Sequence, residues 1–264
     1  MNNKALVMAP HPDDAEFFAG GLIANLIEAG TEITIITATD GCCGSYRESR
    51  SDLIRIRQIE AENAARVLGA KLIMLGYHDY ELDQAPVGEL REKLVRHIRI
   101  EKPDIVISID PFASNEAHPD HRTLAWAASD AVNHAGLPLV YPQHIRDGLE
   151  PHFVSEKYFY SEDFEIHNKV VDITQFMGKK LKAMKAHESQ VIFLVEDFYR
   201  QAQIAGIDLT SVMGPAMNDP FQAISFALTS QAEIIGKKAG VKYAESYRYS
   251  RFHAFIEEIL VQTQ

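Results

Sequence analysis

Leu6-Val7-Met8-Ala9-Pro10-His11-Pro12-Asp13-Asp14-Ala15-Glu16 is a short apolar run that stops at a proline and turns at once into a loop of His and Asp. The apolar part reads as a buried strand. Residues 17–29 then carry Phe18, Leu22, Ile23, Leu26 and Ile27 on one helical stripe, closed by Gly30. The alternation continues outward. Residues 31–39 are β-branched and read as strand two. A helix capped by Ser51 or Asp52 is expected to reach Leu68 and stop at Gly69. Residues 71–75 read as strand three, Glu89–Glu101 as a helix ended by Pro103, and 104–109 as strand four. Residues 122–134 read as a helix stopped by Gly136 and Pro138. Helices between apolar strands imply a Rossmann-like, doubly wound α/β fold, a mostly parallel sheet with helices on both faces. Such a fold binds ligands beyond the C-terminal strand ends, where the strand order reverses. In a 3-2-1-4 order, strands one and four are neighbours at that point.

The second half is less regular. Residues 157–160 and 170–173 read as strands, 174–187 and 219–238 as helices. From about 191 onward no substrate motif is legible, and 208–219, with Gly214-Pro215, reads as a long loop or lid. No Gly-, Ser- or Pro-rich linker divides the 264 residues, so one domain spanning 1–264 is expected.

Composition excludes several classes. Hydrophobic residues are 46% and charged residues 24%, ordinary values that rule out a disordered or collagen-like chain. Asp plus Glu is 37 against 26 Lys plus Arg, a net charge of −11. Such a surface repels nucleic acid and anionic membranes, so neither is an expected partner. No apolar stretch approaches the roughly 20 residues of a membrane helix. The only cysteines, Cys42 and Cys43, are adjacent and cannot staple distant segments. A reducing, cytoplasmic location is expected. GxGxxG, GxxxxGK[ST] and GxSxG are all absent, which argues against a dinucleotide site, a P-loop and a serine hydrolase elbow.

Two loops carry the chemistry. One is His11-Pro12-Asp13-Asp14 after strand one; the other is His118-Pro119-Asp120-His121 after strand four. Either alone could be a helix cap, with Asp13 or Asp14 accepting from the N–H groups of the following helix. Two such loops at one sheet edge are better explained by a metal. Neutral imidazole nitrogen and anionic oxygen are the donor set of a catalytic zinc, with one position left for water and a spare carboxylate to take its proton. Asp40 and Gly44 lie in the loop after strand two, at the same edge, where Gly44 would let a substrate approach the backbone.

These motifs resemble the LmbE/PIG-L deacetylase family. The resemblance rests on His11-Pro12-Asp13-Asp14, Glu16, Gly20-Gly21 and His118-Pro119-Asp120-His121. It extends through Thr39-Asp40-Gly41, Arg57 with Glu60, Lys102-Pro103-Asp104, Asp172-Ile173-Thr174 and Ser189-Gln190, about residues 4 to 190. Weaker echoes stand at Tyr243-Ala244-Glu245 and Arg248. The wording of 77–82, Tyr77-His78-Asp79-Tyr80-Glu81-Leu82, is most similar to the diacetylchitobiose deacetylase branch.

The resemblance implies a zinc-dependent N-deacetylase acting on an N-acetylglucosamine-type sugar or glycoconjugate. It implies His11, Asp14 and His121 as metal ligands and Asp13 as general base. His118 would stabilise the oxyanion or protonate the amine, and Asp120 would hydrogen-bond His118 and hold its tautomer. Arg57 and Asp79 match positions near the sugar. Their plainer roles are an Arg57–Glu60 pair on one helix and a turn shaped by Asp79. A His₂Asp set favours zinc, and iron, cobalt or nickel are the alternatives. A homo-oligomer, trimer or hexamer, is implied as well. His187 and Gln190 are read as ties from the later helix to the catalytic edge.

Two departures stand out. Phe18 occupies a position where the family usually has glycine, and Cys42-Cys43 is unusual in a loop facing substrate. Phe18, Phe193 and Phe198 also leave room for another reading, a metal amidase whose substrate is not a sugar. A non-catalytic sugar-binding protein of the same fold is the third reading; it would be marked by a lost base or ligand.

Overall fold

The computed structural model describes residues 3–86, 88–209, 211, 219–252, 256 and 259. Four strands, β1 (Lys4–Ala9), β2 (Glu32–Thr39), β3 (Lys71–Tyr77) and β4 (Ile105–Ile109), run parallel in the order β3-β2-β1-β4. The sheet continues through β5 (Glu156–Tyr160), parallel to β4, then β7 (Ala244–Arg251) and β6 (Lys169–Asp172) in antiparallel pairing. All five β4 residues and five of the six in β1 are buried, as expected of strands covered on both faces. β1 ends at Ala9 because Pro10 has no N–H for the ladder; the Pro10 carbonyl instead accepts from Thr39 N–H at 2.9 Å. That bond holds the start of the first His-Asp loop against the end of β2.

The helices α1 (Asp14–Glu28) and α2 (Arg50–Leu68) pack on each other, and α3 (Glu89–Glu101) packs on α4 (Pro119–His134). Right-handed crossovers put these two pairs on opposite faces when winding reverses between β1 and β4. A short α5 (Pro142–Arg146) follows, then α6 (Met177–Lys185), α7 (Glu188–Ile204) and α8 (Pro220–Ala239). The main apolar core lies on both faces of the parallel strands. A second cluster, with Ile173, Met184, Val191, Ile224 and Leu228, joins α6, α7 and α8. No helix among the described residues is long and apolar enough to cross a membrane.

Several expectations shift. α1 begins at Asp14, a turn before Phe17, because the Asp13 carbonyl already accepts from Phe17 N–H at 2.8 Å. The cap of α2 is Ser49, whose hydroxyl accepts from Asp52 N–H; Ser51 and Asp52 lie inside the helix. The helix expected over 174–187 is α6 alone, and α7 and β7 answer to no expected element. Of the loop expected over 208–219, positions 210 and 212–218 lie outside the described residues.

Gly20-Gly21 lets the second layer close on α1. A Cβ at Gly21 would stand 2.6 Å from Ile173 Cγ2. The Gly21 and Leu22 N–H groups also donate to the buried Glu245 carboxylate, at 3.0 and 2.8 Å. Lys180 and the Tyr247 hydroxyl complete that carboxylate's partners, each at 2.6 Å. Gly21→Ala is therefore expected to lower stability by about 1–3 kcal/mol through overpacking, even though alanine is the better helix former. A urea midpoint equal to or above wild type would show that Ile173 yields without cost.

Candidate active site

The two His-Asp loops meet beyond the C-terminal ends of β1 and β4, at the reversal of strand order. Three donor atoms face one another there. His11 Nδ1 lies 3.1 Å from His121 Nε2 and 3.3 Å from Asp14 Oδ2, and His121 Nε2 lies 3.5 Å from that same oxygen. Donors bound about 2.0–2.1 Å from one tetrahedral zinc are roughly 3.3 Å apart, so the triangle has the dimensions of one face of such a site. One proton can serve one edge of this triangle, whereas a cation at its centre serves all three. The residues present therefore fit a divalent transition metal.

The outward nitrogens support the same assignment. His11 Nε2 faces Asp79 Oδ1 at 3.1 Å and Asp120 Oδ2 at 3.4 Å, and His121 Nδ1 faces Glu116 Oε2 at 3.0 Å. Each imidazole thus turns one nitrogen to the triangle and the other to a carboxylate, the arrangement that fixes the tautomer of a metal-ligating His. Burial opposes charge on His11, but hydrogen bonds to Asp120, Asp14 and Asp79 outweigh it and hold its pKa well above the usual value. For Asp14, burial is outweighed by the charge of His121 and the hydrogen bond to His11, so its carboxyl is held well below the usual range. The field of the cluster favours positive charge. Glu116 was missed in the sequence reading; its signal is a carboxylate five residues before a candidate ligand, in the same loop.

His118 also comes within 4.8 Å of the other two imidazoles, which makes His11-His118-His121 the competing donor set. Asp14 is the better third donor, because its two edges of 3.3 and 3.5 Å match the spacing of donors on one zinc and His118 Nδ1 is already occupied. His118 is the N-cap of α4, where Nδ1 accepts from Asp120 N–H at 3.2 Å. A neutral His118 then carries its proton on Nε2. Burial and the nearby charges of His11 and His121 depress its pKa to about 4, so it is neutral near pH 7.

Asp13 has a side chain that caps nothing, although it precedes α1. Its φ of 135° is a strained conformation for a residue with a Cβ. The strain is held by Arg57, whose Nη2 lies 3.0 Å from Asp13 Oδ2 and also donates to the Pro12 carbonyl. Burial pushes the Asp13 carboxyl up to about 6, with Arg57 opposing the rise and Asp14 adding to it. A carboxylate poised near neutrality beside a candidate metal triangle has the character of a general base.

The remaining expected residues divide. Arg57 is buried and borders the cavity; its Nη atoms are committed to Gly41 O, Pro12 O and Asp13, which ties it to the Asp13 loop, while its Nε has no hydrogen-bond partner. Nor does it pair with Glu60, which accepts from Ser189 N and Oγ, both at 2.7 Å. The Asp120 carboxylate does not reach His118 as expected. It accepts from Tyr80 N–H at 2.7 Å and Leu82 N–H at 3.2 Å and faces His11; only its backbone N–H meets His118. Asp40 does not border the cavity but ties the loops after β2 and β3, accepting from Cys42 N–H and Asp79 N–H and pairing with His78. Asp79 does border it, with Oδ1 lacking a well-aligned partner. Gly44 borders it too, and its carbonyl accepts from Gln190 Nε2 at 3.0 Å. His187 Nε2 pairs with Glu16 Oε2 at 3.3 Å, joining the start of α7 to α1.

Comparison with known proteins places the chain in a family. The family model described as PIG-L, GlcNAc-PI de-N-acetylase, matches residues 6–132. The chain is 33% identical over 249 residues to a diacetylchitobiose deacetylase of Thermococcus kodakarensis, covering 93% of this chain and 82% of the relative. The chain belongs to the PIG-L family. A probable N-acetyl-alpha-D-glucosaminyl L-malate deacetylase 2 of Bacillus anthracis is 29% identical, over 74% of this chain and 85% of its own. Among solved structures, an N,N'-diacetylchitobiose deacetylase from Pyrococcus horikoshii with its inhibitor superposes with a TM-score of 0.78. It is 33% identical and is covered over 84% of its length, against 94% of this chain.

In this PIG-L chain the triangle opens into a cavity of about 380 Å³, within the size range of small-molecule sites. Phe18, the departure noted in the sequence, forms part of its wall and stacks on Tyr160, with ring centroids 4.9 Å apart. Cys43 also borders the cavity, while Cys42 is buried and accepts from Arg50 Nε at 3.1 Å. Both are free thiols.

Proposed function

We propose that the chain is a metal-dependent hydrolase that deacetylates an N-acetylglucosamine-type sugar, with zinc held by His11, Asp14 and His121 and with Asp13 as base. The observation that carries this reading is the donor triangle with the Asp13 carboxylate, of raised pKa and held by Arg57, beside it. The names of the relatives support the substrate class. A cation bound there supplies Lewis acidity, polarising the acetyl carbonyl and acidifying water. The chain's own residues do the rest. Asp13 takes a proton from the water that attacks the acetyl carbon. Arg57 holds the Asp13 carboxylate in place through the 3.0 Å ion pair. His118 offers Nε2–H to the oxygen on which negative charge develops, a donor that costs no proton transfer. Asp13 then returns its proton to the departing amine, leaving acetate and a free amino sugar.

The non-catalytic reading requires a missing base or ligand, and His11, Asp13, Asp14 and His121 are all in place. Zinc-loaded protein is expected to release acetate from N-acetylglucosamine or diacetylchitobiose. An enzymatic acetate assay that finds none from either, with metal bound at one equivalent, would overturn the sugar deacetylase reading.

A further inference from the structure

The cavity has two unlike sides. Asp79, Tyr80 and His118 border it near the triangle, while Phe17 and Phe18 of α1 and Phe193, Leu194 and Phe198 of α7 form an apolar wall. Gln190, which also borders the cavity, and Phe198 are eight residues apart on one helix, a rise of about 12 Å. The α7 lining is therefore longer than one pyranose ring, and its apolar part is Phe193, Leu194 and Phe198.

This wall is braced. The Tyr46 ring lies 5.3 Å from Phe193, its hydroxyl donates to Asp197 Oδ1 at 2.7 Å, and the Arg200 guanidinium sits 4.0 Å from its ring centre. Arg47 pairs with Glu196. The loop after β2 thus clamps α7 in place before any ligand arrives, which lowers the ordering cost of binding.

Charge points the same way. Among the described residues that line the cavity, Arg57 is the sole Lys or Arg, and its charge faces Asp13 at 3.0 Å. Glu162 stands exposed at the lining and Asp79 adds a second carboxylate. A carboxylate or phosphate carried by the substrate would find no Lys or Arg among those lining residues except Arg57, already paired with Asp13, and would lose its hydration against phenyl rings.

We infer that the α7 side of the cavity takes a neutral, apolar aglycone on the N-acetylated sugar and selects against anionic ones. The inference rests on the deacetylase reading for the placing of the acetamido group, and it adds what lies beyond the sugar.

The test separates the two claims. Acetate release from free N-acetylglucosamine and diacetylchitobiose reports on the deacetylase reading. The inference is read from kcat/KM for 4-nitrophenyl and octyl N-acetylglucosaminides against N-acetylglucosaminyl malate and N-acetylglucosamine 1-phosphate, each relative to the free sugar. Calorimetric affinities of the same compounds for metal-loaded Asp13→Asn protein supply a readout that needs no turnover. The apolar glycosides are expected to exceed the free sugar by on the order of tenfold, and the anionic ones to fall below it by a similar factor. Phe193→Ser and Phe198→Ser should each shrink the apolar advantage, and Phe198→Lys should raise the anionic-to-free ratio. Equal preference for malate and aryl compounds, in turnover and in affinity, would overturn the inference. So would an apolar advantage that survives both serine variants.

Discussion

Asp13→Asn is expected to lose about 10²–10⁴-fold in kcat/KM while retaining one equivalent of metal. The substitution keeps the size and shape of the side chain. An amide oxygen can still accept from Arg57 Nη2, which lies 3.0 Å from Asp13 Oδ2 in wild type, so the strained turn at φ 135° keeps its brace. What is lost is the capacity to take a proton. The pH dependence of wild type makes the same point. Burial raises the Asp13 carboxyl to about 6, and the base is competent only when ionised. Activity is present above that pKa and declines as pH falls through it. A cation beside Asp13 draws the value down, so the acid limb of kcat/KM belongs at or below about 6. Residual activity in Asp13→Asn should lack this limb. Metal content measured on the purified variant decides the outcome, because loss of the ion on this conservative change would make Asp13 a ligand and leave the base unassigned.

The layered architecture was legible because the central strands are buried on both faces and are therefore mostly apolar or β-branched, with Ser108 and the threonines of β2 the buried polar exceptions. Leu6-Val7-Met8 and residues 105–109 could be read without knowing their neighbours. The site followed from topology, since parallel strands one and four bring their following loops together whatever lies between them. What failed to show in the sequence depended on partners far along the chain. β7 is interrupted by Glu245 and Arg248, which look like surface charges until Lys180 and Asp110 are seen beside them, at 2.6 and 2.7 Å. The plainer role of Arg57 pairs it with its helix neighbour Glu60, yet its partners lie in the Pro12-Asp13 turn and at Gly41. The Asp120 carboxylate was assigned to His118 in the same loop. The 79–82 turn outbids it with two backbone N–H groups, those of Tyr80 and Leu82. α7 carries the apolar wall, and its substrate-facing residues have no motif because ring contacts with a ligand demand shape rather than a fixed spacing.

Asp14→Ala and His118→Ala discriminate between the Asp14 triangle and the set of three imidazoles. If the triangle is correct, Asp14→Ala and His121→Ala lose stoichiometric metal after dialysis, whereas His118→Ala retains it and loses turnover instead. If three imidazoles bind the ion, His118→Ala empties the site and Asp14→Ala does not. Geometry favours the first outcome: Asp14 Oδ2 is 3.3 Å from His11 Nδ1 and 3.5 Å from His121 Nε2, and His118 Nδ1 already accepts from a backbone N–H. Glu116→Gln grades the result. The Glu116 carboxylate fixes His121 through Nδ1 at 3.0 Å and adds negative charge close to the site. Its loss should weaken metal affinity by about 10–100-fold, the usual cost of removing a partner behind a ligating imidazole. A chelator competition titration reads that factor directly. An affinity unchanged in Glu116→Gln, beside complete loss in His121→Ala, would mean that His121 holds its ring orientation by packing against His11 and His118 rather than through its carboxylate.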